Sequence, residues 1–245
     1  EGPEPTISQE EIDLILGETD PPEEMFEGDV LDIDDVVLPE LPADKIQTEN
    51  YVYNILLIGQ DRRPGEKRAR SDSMILCTIN TKEKTLVMTS FLRDLYVRIP
   101  DYNGKSYADN RLNVPYALGG MEMLNECLEM NFGVQVDHNV EISFESFTKL
   151  IDYMGGIEIE LTEAEAKYLN NDDLYVKYEV QPGLQYLDGM AALSYARMRK
   201  AEGDSDSDIK RTARQRHLIE SILFGLKKLS LSDLNKIVDE VMPMI

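Results

Sequence analysis

Tryptophan is absent from these 245 residues, and there are only two cysteines and two histidines. Cys77 and Cys127 cannot make a disulfide framework. One falls in an apolar strand pattern and the other in a helix pattern, so both read as small buried hydrophobes. His138 and His217 are too few and too isolated for a zinc site. No apolar run approaches the roughly 20 residues that cross a bilayer, and no signal-peptide pattern is visible. A Walker loop, a Gly-x-Ser-x-Gly elbow and a Cys/His arrangement are also missing, because Gly119-Gly120 lacks the accompanying Lys and Ser/Thr.

Basic residues are scarce as well: 25 stand against 47 acids, a net charge of −22. Residues 1–50 hold 17 acids and one lysine, Lys45, so residues 51–245 carry only −6. The acidity belongs mainly to a leader. DNA would be repelled over most of such a surface, since non-specific affinity comes from neutralising phosphates, and no nucleic-acid partner is expected.

The hydrophobic content of 42% and charged content of 29% are those of a globular chain. Residues 1–50 read as an acidic leader, with a short amphipathic fragment at Ile7–Leu16 and an arm near Val36–Leu41. The chain opens in this acidic stretch without Met, and the expectation is a membrane anchor upstream of it.

Residues 51–230 read as one domain and 231–245 as a C-terminal helix. Val52–Ile58 is a continuous apolar run, a buried strand ending at Gly59-Gln60-Asp61. Ser73–Asn80 and Thr85–Phe91 read as a hairpin, and Leu95–Ile99 as a short strand. A helix is predicted over Met121–Phe132, introduced by Gly119-Gly120. A strand at Asn139–Phe144 and a helix at Phe147–Met154 follow. A strand at Ile157–Leu161 leads into a capping box at Thr162 and Glu165. Residues 170–187 read as irregular. Helices are predicted over Gly189–Ala196, Asp208–Lys228 and Ser232–Val241. This alternation indicates an α/β fold, a three-layer α/β/α sandwich around a central mixed β-sheet.

Two blocks mix arginine with aspartate. In the first, three strand ends present Asp61 and Arg63, then Arg70 and Asp72, then Arg93 and Asp94. Ligands of α/β sheets bind at such ends. Carboxylates beside a phosphate site hold divalent cations, and arginine forks match phosphate oxygens. The plain alternative is three surface ion pairs, each worth at most about 1 kcal/mol.

The second block, Arg197–Arg216, has seven basic residues and four acids. Arg197 and Arg199 point opposite ways in a helix and the same way if the chain is extended. Asp208 is suited to cap the following helix. Arg211, Arg214, Gln215 and Leu218 share one face that starts in the first turn, where free amides favour an anion. A solvated basic helix side is the alternative. Against it, that face runs on into Leu218, Ile219 and Ile222, and arginines on a buried stripe need anions. Together the blocks suggest an anion site used in metal-assisted phosphoryl transfer, which relies on positioning and charge neutralisation.

The segments NILLIGQDRR, RSDSMILCTIN, FLRDLYVRIP, NVPYALGG, VEISFESFTKLIDYMGGIEI, YLDGMAALSYARMR and DIKRTARQR stand in this order between Asn54 and Arg216. In that order the chain resembles the LytR-CpsA-Psr family over about Asn54–Lys228. The resemblance implies a phosphotransferase of Gram-positive cell-wall biogenesis, with a lipid tunnel in the α/β/α fold. Such a protein moves a glycopolymer from a polyprenyl-diphosphate carrier to peptidoglycan, at the extracellular face of the membrane, held by an N-terminal anchor. An older description of the family as transcriptional attenuators is disfavoured by the charge. A non-catalytic envelope protein that binds polyprenyl phosphate or an anionic polymer is the remaining alternative.

Matched position by position, the resemblance makes Asp61 and Asp72 the ligands of Mg²⁺ (or Mn²⁺). It places Arg93, Arg197 and Arg199 on the diphosphate. Asp208, Arg211 and Gln215 match the charged start of the last long helix, and Arg63, Arg70 and Arg214 are further diphosphate contacts. Asp72, Asp94 and Asp208 are candidates for the acceptor proton. Leu92 replaces the family's usual proline before Arg93. The stretch Ala108–Asn113 also departs from the family pattern, so a basic contact there falls to Arg111 or is absent. The tunnel lining is expected from Val114, Tyr116, Leu128, Phe132, Phe144, Phe147, Leu150, Ile219 and Leu223.

Overall fold

Strand β1 (Val52–Gln60) carries the apolar run Ile55–Ile58, which is covered on both faces of the sheet. It lies between β2 (Ser71–Asn80), antiparallel, and β6 (His138–Ser143), parallel. β3 (Thr85–Phe91) adds antiparallel to β2 and closes the order β3-β2-β1-β6, the expected mixed sheet. The computed structural model describes residues 51–60, 71–172, 174–199, 201 and 207–240. The predicted leader features at Ile7–Leu16 and Val36–Leu41 lie outside them.

Alternation along the strands separates two faces. Leu56, Ile58, Met74, Leu76 and Phe91 pack against helix α1 (Val114–Phe132), through Val114, Tyr116, Met123, Leu124, Cys127 and Leu128. The opposite face presents Leu57, Gly59, Ser73, Ile75, Val140 and Ile142 to a cavity. Helices α2 (Phe144–Tyr153), α4 (Gly189–Arg197) and α5 (Ser207–Lys228) form the far wall of that cavity. These helices and the sheet between them and α1 make up the three-layer sandwich.

Behind the far wall lies a second core. It joins α2, α3 (Glu163–Asn170), α4 and α5 to the antiparallel pair β7 (Ile157–Leu161) and β8 (Gly183–Leu187). The capping box predicted at Thr162 and Glu165 is formed. The short strands β4 (Tyr96–Val97) and β5 (Asn110–Arg111) pair antiparallel, and α6 (Leu231–Glu240) ends the described chain. No helix among the described residues is long and apolar enough to cross a membrane.

Gly189 is where α4 meets α2. A Cβ there would stand 2.2 Å from the carbonyl oxygen of Thr148, so only glycine allows this backbone-to-backbone approach.

Two sequence expectations change. Helix α1 begins at Val114, not Met121. The Gly119-Gly120 pair is a kink inside it, with Gly120 at φ 69° and ψ −152°, a conformation that suits glycine. The start signal was Pro115 in the first turn. Residues 183–187, expected to be irregular, form β8. Its polar residue Gln185 is half-buried while Leu184 and Tyr186 are exposed, which inverts the usual alternation and hides the strand.

Both cysteines are buried. Burial pushes the Cys127 thiol up to about 12, against a hydrogen bond to Asn131 that lowers it, and burial also raises Cys77. Because the thiolate is the reactive form, iodoacetamide at pH 8 should label neither cysteine in the native protein and both in guanidinium, read by mass spectrometry. Leu124 is fully buried. Leu124→Ala should lower the unfolding free energy by about 2–5 kcal/mol in a denaturant titration.

Candidate active site

The cavity between the sheet and the far wall has a volume of about 630 Å³, within the range of ligand pockets. Helix α5 runs along it. Arg211, Gln215, Leu218, Ile219, Ile222 and Leu223 all line it, so the wall grades from cationic to apolar over about 18 Å of helix. Phe144, Phe147 and Leu150 of α2 add to the apolar part. Of the nine residues expected to line a tunnel, these three with Ile219 and Leu223 do so. Val114, Tyr116 and Leu128 sit in the core on the other sheet face, and Phe132 stacks at 5.3 Å on Phe91. Helical periodicity identifies an apolar face but not which side of a sheet it covers.

At the polar end, Arg197 closes α4 and Met198 turns the chain out, with φ −54° and ψ 120°. Arg197 and Arg199 consequently both reach the cavity, while Met198 between them is buried in the second core. This is the extended geometry that the spacing allowed. Arg197 is held by aromatic groups. Its Nη1 donates to the Tyr175 hydroxyl at 2.6 Å, and its Cζ lies 4.8 Å from the Phe144 ring centroid and 5.5 Å from that of Tyr175. Each cation–π contact is worth about 0.5–1 kcal/mol at such a partly exposed position.

Arg211, only 5% exposed, is the fifth residue of α5, reaches the cavity and pairs with Asp208 at 3.2 Å. Asp208 lies within the first turn and not at the cap, since the helix already begins at Ser207. Gln215 ties three elements together: its Oε1 accepts from Ser73 Oγ on β2 at 2.9 Å, and its Nε2 donates to the Ala196 carbonyl of α4 at 3.4 Å.

Arg214 does not line the cavity. It is 6% exposed and lies behind the site, where Nη2 donates to the Met198 carbonyl at 2.7 Å and Nη1 reaches Glu165 at 3.5 Å. The shared face predicted for Arg211, Arg214 and Gln215 therefore splits. A step of three residues turns a helix 60° short of a full revolution, enough to carry Arg214 into the second core.

The three strand ends that adjoin the first block lie together at one end of the sheet. Gln60 pairs with Ser71, and Met74 pairs with Phe91, so β1 ends, β2 starts and β3 ends side by side. Gly59 and Ser73 at that end line the cavity. Asp61, Arg63 and Arg70 lie outside the described residues, as does the side chain of Asp72. Just beyond β3, the Asp94 carboxylate accepts from Arg93 Nε at 3.3 Å and from Arg111 Nη1 at 3.4 Å. The Tyr96–Arg111 pairing of β4 with β5 brings Arg111 there. Neither Arg93 nor Arg111 lines the cavity itself. Among the described residues no cluster of three metal-ligating side chains occurs.

Residues 31–245 match the LytR_cpsA_psr family. The chain belongs to that family. Over 171 residues it is 39% identical to the polyisoprenyl-teichoic acid–peptidoglycan teichoic acid transferase TagU of Bacillus licheniformis, covering 70% of this chain and 51% of that protein. The chain thus spans about half the length of the curated relatives it matches. A solved Streptococcus agalactiae protein superposes with a TM-score of 0.67 at 32% identity, covering 78% of this chain and 66% of the other. TagT of Bacillus subtilis, solved with a bound octaprenyl pyrophosphate lipid, gives a TM-score of 0.62 at 28% identity, with 81% and 78% covered.

In this LytR_cpsA_psr domain, sequence reasoning overlooked Tyr168, Asp172, Tyr175 and Ser194, which line the cavity. Asp172 is the one carboxylate among the described lining residues, and it accepts a hydrogen bond from Ser194 Oγ. Ser194 could have been found, because it lies three residues before Arg197 on one helix face. Asp172 and Tyr175 stand in a loop with no periodicity to read.

Arg214→Met should cost about 3–5 kcal/mol in a urea titration, because Glu165 loses its buried partner and the Met198 carbonyl loses its donor. Arg199→Ala, at an exposed position, should stay within about 0.5 kcal/mol of the wild type.

Proposed function

We propose that this chain is a phosphotransferase that moves a glycopolymer phosphate from a polyprenyl-diphosphate carrier to a peptidoglycan hydroxyl. The observation that carries this reading is the graded cavity, with Arg197, Arg199, Arg211 and Gln215 at one end and an apolar wall along the rest. A diphosphate with a prenyl chain has the same division into a charged head and an apolar tail. The transferase name of TagU and the lipid in the TagT structure support it.

In this reading the three arginines neutralise charge on the diphosphate as its bridging bond breaks. Arg197 is pre-oriented by Tyr175 and Phe144, so little ordering remains to be done when the ligand arrives. The acceptor hydroxyl oxygen attacks the polymer-side phosphorus, its proton passes to a carboxylate (Asp72, Asp94 or Asp208), and polyprenyl phosphate leaves. Asp61 and Asp72 would hold Mg²⁺ or Mn²⁺. Their places in the chain fit this, since each is within two residues of Gly59 or Ser73 at the cavity's polar end. The cation would reduce the negative charge facing the attacking oxygen. In this reading Arg63, Arg70 and Arg93 are further diphosphate contacts. Such a reaction takes place at the outer face of the cell membrane, with an anchor upstream.

The purified chain, incubated with Mg²⁺, a lipid-linked glycan donor and peptidoglycan fragments, should release polyprenyl phosphate and link the glycan to the fragments. Arg197→Ala with Arg199→Ala should lower kcat/KM by about a hundredfold or more. Donor binding without any release of lipid phosphate by the native chain would show a carrier protein and refute the transferase reading.

A further inference from the structure

The cavity has a second rim, away from the arginines. Leu223 lines the cavity and is also 37% exposed, so the apolar end reaches the surface there. Beyond it the surface stays apolar: Phe224 is 58% exposed and Leu231, at the start of α6, is 80% exposed. The stretch Leu223–Leu231 contains two lysines, Lys227 and Lys228, and no carboxylate, within a body whose residues 51–245 carry a net −6. Lys228 Nζ sits 4.1 Å over the Phe224 ring and 3.1 Å from Glu158 on β7. Large exposed apolar side chains flanked by lysines are the composition of a surface that lies at a bilayer interface.

We propose that this lip, Leu223, Phe224, Lys227, Lys228 and Leu231, rests on an anionic lipid bilayer. The inference rests on the reading of the cavity as a prenyl-chain site, because it gives the rim a purpose. A prenyl chain leaving a bilayer must cross water, exposing its methylenes, unless the cavity's apolar wall is continuous with the membrane surface. Leu223 provides that continuity. The two lysines supply attraction to anionic headgroups, an effect that falls off within a Debye length.

The test is flotation of the purified 245-residue chain with vesicles of phosphatidylcholine alone or mixed with phosphatidylglycerol, neither containing any prenyl lipid. The chain should float with the mixed vesicles, less so at high salt. Phe224→Ser with Leu231→Ser should reduce partitioning about tenfold or more, with an unchanged thermal melt. Lys227→Gln with Lys228→Gln should remove the preference for mixed over neutral vesicles, again by about tenfold. Absence of flotation, or equal flotation of the wild type and the Ser variant, overturns the proposal. A dimer that forms without lipid and is lost in the Ser variant, seen by sedimentation velocity, would assign the lip to a second copy and overturn it as well. Because no prenyl lipid is present, failure here leaves the diphosphate reading untouched. Failure of the transfer assay with flotation intact would overturn only that reading.

Discussion

Arg214 donates to the carbonyl of Met198 from inside the protein, and that bond decides how the chain leaves α4. The carbonyl is held on the core side and the Met198 side chain is buried with it, so the residues on either side turn toward the cavity. Glu165, already engaged in the cap of α3, takes the other side of the Arg214 guanidinium. A buried pair of this kind contributes little net stability against an apolar substitute of the same shape. Its effect is geometric: two cationic side chains, two residues apart, are delivered to one site.

The sheet supplies the second constraint. One face is closed by α1 with an apolar core, and the other is spanned by helices that stand off from the sheet around a cavity. Where α4 and α2 touch, at Gly189 and Thr148, the contact is as close as backbones allow. Elsewhere the far wall stands off. On the proposed reading a prenyl tail packs along that wall, and binding it stabilises the fold by mass action. At the polar end Arg211 is nearly buried and pairs with Asp208.

The elements that position the site were largely readable from residue patterns. β1, β3, β7 and α4 follow runs or periods that have one interpretation each, and the capping box at Thr162 marked the start of α3. Misreadings came where two signals competed. At Gly119-Gly120 the glycine pair signals a boundary, whereas packing of residues on both sides against the sheet keeps the helix continuous through a kink. At β8 the pairing with β7 outweighs an alternation that runs the wrong way, because backbone hydrogen bonds do not depend on which side chains point outward.

Residue spacing by itself placed arginines at strand ends and put Arg211, Arg214, Gln215 and Leu218 on one helical face, since backbone periodicity is a local property. It also left Arg197 and Arg199 with a choice between opposite and shared directions. The tertiary structure made that choice through Arg214, a residue 16 positions away in sequence from the carbonyl it holds. It sent Arg214 itself into the core, moved Val114, Tyr116 and Leu128 to the other side of the sheet, and brought Asp172 and Tyr175 in from a loop. Those outcomes depend on contacts between segments distant along the chain, and no local period encodes them.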